Sequence, residues 1–235
     1  QRRDGWQRSG LTAMIDKRVD SIAQAMQGIK DGAVVLVGGF GTSGRPNQLC
    51  QGLLELGVKD LTIVANNSTG GADVIEDLIK AGRIRKVVCS YPRSIFGKTS
   101  FDTEYVAGRI ELELVPQGTL AERIRAGAAG IGGFYTKTAA RTELAKGKEV
   151  RVIRGQEYVL EEPITGDVAL INAKQGDRWG NLVYHRGARV NNPVMAGAAK
   201  LAIAQVREIV ELGTLDPEVI VTPGVFIDRL VEVRP

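Results

Sequence analysis

The sequence predicts an α/β fold: an open, mostly parallel sheet flanked by helices, with a small antiparallel hairpin. Three features carry that prediction. Short apolar runs alternate with helix-period segments through the first half of the chain, the rhythm of parallel strands joined by crossover helices. The first such run, Ala33–Val37, ends in Gly38, Gly39, Gly41 and Gly44, and a helical pattern opens at Pro46. In the second half, Val150–Ile153 and Tyr158–Glu162 flank Arg154-Gly155-Gln156, a hairpin signal that suggests an antiparallel edge.

With 235 residues, 43% of them hydrophobic and 25% charged, the chain has the composition of an ordinary soluble protein with enough length for a sizeable core. No apolar run approaches the ~18 residues that would cross a membrane. Residues 1–13 differ from the rest. They carry Arg2, Arg3, Arg8 and Asp4, so half of the formal charge of +4 belongs to them. They lack the apolar core of a signal peptide and read as a disordered extension. Met14 begins the regular pattern, and 14–235 read as a single domain. No basic patch calls for nucleic acid. Cys50 and Cys89 lie in a helical pattern and at a strand end, as small buried hydrophobes rather than a disulfide, which suits a reduced cytoplasmic compartment.

The elements follow in order. Ile15, Val19, Ile22, Met26 and Ile29 recur at three- and four-residue steps, predicting an amphipathic helix. Leu49, Leu53, Leu54 and Leu56 give the helix after Pro46 its buried face, and Gly57 is placed to end it. Leu61–Ala65 is the second strand, and Asn66–Gly71 is a loop at its C-terminal end, the edge where open parallel sheets bind ligands. A helix around Val74–Ile79 closed by Gly82, a strand at Lys86–Ser90, a polar loop at Tyr91–Ser100, a short helix at Phe101–Ala107 and a strand at Ile110–Val115 come next. Thr119-Leu120-Ala121-Glu122 has the form of a capping box, which would start a helix there. The glycines at 127, 130, 132 and 133 suggest either a mobile segment or a close crossing of chains. A short helix at Ala139–Gly147, the hairpin, a buried strand at Asp167–Ala173 and a polar turn around Gly176 and Gly180 lead to Pro193–Ala204. That segment reads as a small-residue helix capped by Asn192, with strands at Val206–Glu211 and Glu218–Thr222 after it.

Chemistry concentrates in Asp31–Pro46, DGAVVLVGGFGTSGRP. A strand, a glycine turn and a helix start can build an anion site, because glycines let N–H groups approach a phosphate and the helix N-terminus adds partial positive charge. The same pattern is equally a tight turn without a ligand. Gly39–Gly44 also fits GxGxxG, the dinucleotide fingerprint, but that fingerprint expects an acid at the end of the next strand, where Asn66-Asn67 stands.

The whole stretch resembles the first signature of the family I CoA-transferases, with its fixed positions filled by Asp31, Gly32, Val35–Val37, Gly38–Phe40, Gly44 and Pro46. LTIVANN at 61–67, VPQGTLAERIRAGAAGI at 115–131, GDRWGNL at 176–182 and TPGVFIDRLV at 222–231 resemble the family's A subunits, so the likeness runs from about Met14 to Val233. KVVCSYPRS at 86–94 is more similar to subunits acting on 3-oxoadipate than to those acting on acetoacetate. The resemblance implies transfer of CoA from succinyl-CoA to a 3-oxo acid. In the family a glutamate attacks the thioester, through acyl-anhydride and enzyme-CoA intermediates. That glutamate lies in a Ser-Glu-Asn-Gly motif of the B subunit, which this chain lacks.

The resemblance therefore implies half an enzyme, paired with a B subunit in a heterodimer or heterotetramer. It implies no catalytic residue here, no metal and no tightly bound cofactor, with the CoA thioester as substrate. It makes Gly38, Gly39, Phe40, Gly41, Thr42, Ser43 and Gly44 the CoA-binding loop, in which the Ser43 hydroxyl could bond a phosphate. It places Gln117 near the substrate carboxyl, where an amide can donate hydrogen bonds without adding charge; a turn residue bonding backbone is the plainer reading. His185, the sole histidine, is read as structural or surface, and Arg186 and Arg189 as solvated charge that could meet an acidic substrate. Two other classes remain open: a nicotinamide-dependent oxidoreductase, and a non-catalytic binding or regulatory protein.

Overall fold

In the computed structural model, which describes residues 15–68, 74–93 and 97–234, the chain forms a twisted parallel sheet between two layers of helices. The expected extension at 1–13, the start at Met14 and the end of the Asn66–Gly71 loop lie outside the described residues. In chain order the elements are α1 (Ile22–Ala25), β1 (Val34–Val37), α2 (Asn47–Leu56), β2 (Leu61–Ala65), α3 (Val74–Lys80), β3 (Ile84–Cys89), α4 (Ser100–Val106), β4 (Glu111–Leu114) and α5 (Gln117–Ala128). They continue with β5 (Phe134–Thr136), β6 (Val150–Ile153), β7 (Gln156–Glu161), β8 (Gly166–Asp177), β9 (Leu182–Val183), α6 (Asn192–Ala196), β10 (Ala199–Val210) and β11 (Arg229–Glu232).

The main sheet runs β11-β10-β8-β1-β2-β3-β4 with every neighbour parallel, and β9 adds an antiparallel stub to β8. Because side chains alternate across a strand, β1 sends Val35 and Val37 to one face and Leu36 to the other. The first face packs on α2 and α3 through Leu49, Leu53, Ile75 and Leu78; the second packs on α5 and α6 through Leu120, Ile124 and Met195. Both faces are covered, which is why the central strands read as unbroken apolar runs.

The hairpin β6–β7 turns on Arg154 and Gly155, both at positive φ (52° and 77°), as a tight two-residue turn requires. It forms no edge of the main sheet. With β5 it makes a separate three-stranded antiparallel sheet. That sheet is fastened to α5, where Arg123 donates to the Glu162 carbonyl (2.7 Å) and Ile164 N–H donates to the Arg123 carbonyl (2.8 Å). Gly127 is the point of closest approach: a Cβ there would sit 2.1 Å from the Ile164 carbonyl oxygen. Of the two readings of the glycine-rich segment, this contact is the close crossing.

Four expectations are corrected. The first helix shrinks to α1, and residues 17–19 instead run extended beside β11, with Val19 N–H donating to the Leu230 carbonyl (2.8 Å) and Leu230 N–H to the Lys17 carbonyl (2.7 Å). An uncovered edge strand supplies the partners that helical periodicity ignores. The helix expected at Pro193–Ala204 ends at Ala196, and Ala199–Val210 is a twelve-residue strand between β8 and β11. Its alanines favour helix in isolation. Here Ala202 and Ala204 lie on the α6 face, with Leu201 and Ile203 on the other. The cap of α6 is Asn191, with Asn192 inside the helix.

The third correction concerns Thr119, which is no cap: α5 starts at Gln117 behind Pro116, and the buried Thr119 hydroxyl has no partner among the described residues. Last, the strand expected at Glu218–Thr222 is a short 3-10 turn (Pro217–Val219) with a single bridge from Thr222 to Leu182; the final strand is β11. The polar turn after β8 begins at Asp177. The Asp177 carboxylate accepts the N–H groups of Trp179 (3.0 Å) and Asn181 (3.1 Å) and the Asn181 amide (2.8 Å), while Gly176 stays within the strand.

Candidate active site

Strands β1, β2, β3 and β4 all end at one edge, and the segments that leave them meet there. Gly38 follows β1 and donates its N–H to the Leu170 carbonyl (3.0 Å), tying the loop to β8. The chain then folds on itself: Phe40 N–H donates to the Ser43 carbonyl (2.9 Å) and Ser43 N–H to that of Phe40 (3.0 Å). Gly41 (φ 58°) and Thr42 form the turn between them. Three glycines are dictated by contact, Gly39 because a Cβ there would sit 2.9 Å from the Arg45 backbone nitrogen and the Ser43 carbonyl oxygen. A Cβ at Gly38 would sit 1.9 Å from Asn192 Oδ1, and one at Gly44 would sit 2.5 Å from the Ala188 Cα. Gly41 faces open space.

The loop is held from α6 by an asparagine pair. Asn191 Nδ2 donates to the Gly39 carbonyl (3.1 Å). The fully buried Asn192 donates to the carbonyls of Gly44 and Ala188 (2.9 Å each) and accepts the Asn172 N–H (2.9 Å). Arg45, also buried, donates to the Gly41 carbonyl (3.1 Å). The start of α2 is occupied too, since Gln205 Oε1 accepts the Leu49 N–H (3.0 Å). The loop's N–H groups are therefore divided: those of Phe40, Gly41 and Ser43 are committed within the protein, and those of Gly39, Thr42 and Gly44 have no partner among the described residues. What the loop exposes is the Phe40 ring and the side chains of Thr42 and Ser43.

A second asparagine pair joins this loop to Gln117. Asn67 Oδ1 accepts the Gly41 N–H (3.0 Å) and the Asn66 amide (2.5 Å), and Asn66 Oδ1 in turn accepts from Gln117 Nε2 (2.8 Å). Gln117 is exposed at the first position of α5, where unpaired helix N–H groups favour negative charge. Its second amide hydrogen is free of that relay, because an amide carries two donors. Sequence reasoning placed Asn66 and Asn67 at the ligand edge without a role and read Asn192 as a cap. The signal available was the recurrence of Asn-Asn, once at the end of β2 and once at the start of α6.

On β4, Glu113 receives Lys86 and Arg123, each at 2.7 Å. Burial alone would raise its pKa, but these two hydrogen-bonded cations outweigh burial and hold it below the ordinary value. Cys89 ends β3 at the same edge. Burial pushes its thiol up to about 12, against the opposing pull of the Tyr91 and Ser68 N–H groups, so it stays a neutral packing group. His185 is exposed and outside the relay. Among the described residues no group of His, Cys, Asp and Glu could hold a metal ion, and no helix is long and apolar enough to cross a membrane.

Residues 19–233 match the family model described as "Coenzyme A transferase". The chain belongs to the coenzyme A transferase family. Among its relatives, it is 55% identical over 220 residues to the A subunit of 3-oxoadipate CoA-transferase from Pseudomonas putida, covering 94% of this chain and 95% of the relative. It is 45% identical over 215 residues to the A subunit of a probable succinyl-CoA:3-ketoacid coenzyme A transferase from Bacillus subtilis, covering 92% and 89%. Of solved structures, glutaconate coenzyme A-transferase from Acidaminococcus fermentans superposes with a TM-score of 0.79 at 22% identity, over 93% of this chain and 76% of that one, a likeness of fold. In this CoA-transferase chain the two positions that end β2, where a dinucleotide site would carry an acid, are Asn66 and Asn67, and both are spent on the relay.

Proposed function

We propose that this chain is the A subunit of a heteromeric CoA-transferase that moves CoA from succinyl-CoA to 3-oxoadipate. The observation that carries the reading is the relay from Gln117 through Asn66 and Asn67 to Gly41, which makes one unit of the two segments assigned to the acid substrate and to CoA. In this reading Gln117, at the positive end of α5, meets the substrate carboxyl with its free amide hydrogen, and the loop Gly38–Gly44 lies along the thioester. The 55% and 52% identities to the A subunits of two 3-oxoadipate CoA-transferases favour that acid over acetoacetate.

The nucleophile belongs to the partner. Covalent transfer needs a carboxylate facing the thioester. Glu113 on β4 is already engaged by two cations, and the chain has no Ser-Glu-Asn-Gly motif. Phe40 and Tyr91 flank Asn67 with 45% and 49% of their surface exposed, which suits a site completed by a second chain. The test is transfer of CoA from succinyl-CoA to 3-oxoadipate and, in parallel, to acetoacetate, by this chain alone, by its B partner alone and by the two together. Turnover is expected from the pair only, with the higher kcat/KM for 3-oxoadipate. Turnover by this chain alone, with its partner excluded by mass spectrometry, refutes the division of labour, and preference for acetoacetate refutes the choice of acid.

A further inference from the structure

On the Ala188 side of the glycine loop lies a cleft of about 300 Å³, lined by Thr42, Ser43, Asn172, Lys174, Arg186 and Arg207 among others. Its cations come from three separate elements: Lys174 from β8, Arg186 from the 3-10 turn at Arg186–Arg189, and Arg207 from β10. All three are exposed, and no side chain among them has an ion pair or hydrogen bond to another described residue. The acids nearest in sequence are already occupied. Glu208 accepts from Gln175 (2.7 Å), and Asp177 holds its own turn. Three like charges around one concavity repel one another, and an anion placed among them removes that cost.

Two further features build the cleft. Arg186 is held at φ 46°, a left-handed conformation that L-residues disfavour. Ser43 faces the same turn, since a Cβ on Gly187 would come within 2.6 Å of its Oγ. Three cations and a hydroxyl that can donate, around a small open cleft with no carboxylate in its lining, are the chemistry that recognises phosphate oxygens.

We propose that this cleft binds the phosphate-bearing end of the CoA thioester, with Lys174, Arg186 and Arg207 supplying charge and Ser43 a hydroxyl donor. The proposal rests on the CoA-transferase reading above and assigns the substrate's polyanionic end to the opposite side of the loop from Asn67. Dicarboxylates are weaker candidates, because two separated single charges use three converging cations poorly.

The test is calorimetric titration of the chain, by itself and in complex with its B partner, using 3′,5′-ADP, inorganic pyrophosphate and adipate as probes, followed by kinetics of the reconstituted enzyme. Removing one charge-assisted contact lowers affinity roughly ten-fold. Lys174→Ala/Arg207→Ala is therefore expected to weaken 3′,5′-ADP binding by well over ten-fold and to raise the KM for succinyl-CoA similarly. The KM for the 3-oxo acid should stay within two-fold and the melting temperature should not change. Tighter binding of 3′,5′-ADP than of pyrophosphate points to the nucleotide end of CoA rather than to free phosphate. An unchanged KM for succinyl-CoA, stronger binding of adipate, or loss of the complex with the B partner on size-exclusion chromatography of the variant each overturns the proposal, the last by making the cleft a protein contact. If the wild type binds 3′,5′-ADP through these residues yet transfers no CoA with the B partner present, the transferase reading fails and the phosphate site stands.

Discussion

Replacing Gly38 by alanine is expected to cost far more than its one added methyl suggests. That methyl would lie 1.9 Å from Asn192 Oδ1, and real Cβ contacts essentially never fall under 3.0 Å, so Asn192 must retreat by about 1 Å or more. Asn192 is completely buried and cannot swing into solvent. Overpacking of this kind costs about 1–3 kcal/mol. Moving the amide also strands the Asn172 N–H and the Gly44 carbonyl, at about 1–3 kcal/mol for each group left without a partner. The sum is about 3–9 kcal/mol, or a melting temperature lower by about 6–36 °C for a chain of this size.

Gly41→Ala is the control: it has open space, so only its left-handed backbone is penalised, at about 1–2 kcal/mol. Urea denaturation of both variants measures the difference. In Gly38→Ala/Asn192→Ala the shortened side chain makes room for the new methyl, so the pair should cost less than its two singles together by at least about 1 kcal/mol. A Gly38→Ala protein within about 1 kcal/mol of wild type, or strict additivity in the double variant, refutes the contact as the reason for glycine.

Three other outcomes are expected. Gln117→Ala in the reconstituted enzyme should lower kcat/KM by about ten- to a hundred-fold, roughly 1–3 kcal/mol, with stability nearly unchanged; an effect under two-fold leaves Gln117 as a support for Asn66 only. Because Glu113 is held below its ordinary value of 4.5, its stabilising contribution is complete above that pH and disappears as pH falls through the lowered pKa. The stability gap between wild type and Glu113→Gln should therefore be widest near neutrality and close in acid, and a gap independent of pH in urea titrations would contradict the ion pairs. Cys89, with its thiol pushed up to about 12 and buried, should resist iodoacetamide at pH 8 in the folded protein and react on unfolding, read by intact-mass spectrometry.

The sequence by itself determined the strand–glycine–helix unit, because each part of it is a local event. Leu61–Ala65 was legible to the residue, since all five positions are buried and the one polar residue, Thr62, is β-branched and fits a strand. Gly57 closes α2 at φ 79° as expected, because a helix stop depends on one backbone conformation. The tertiary structure alone decided the long-range choices. Ala199–Val210 carries helix-favouring alanines, and only the unpaired edge of β8 and the closeness of α6 make it a strand. Thr119 and Glu122 match a cap motif, but the chain leaving β4 starts α5 at Gln117 and so brings that side chain to Asn66, 51 positions earlier. The two Asn-Asn pairs show the same division. An asparagine's local tendency is to cap or turn, and the partners that make these four into a clamp and a relay lie in strands and loops distant in sequence, brought within hydrogen-bond reach only when the sheet closes.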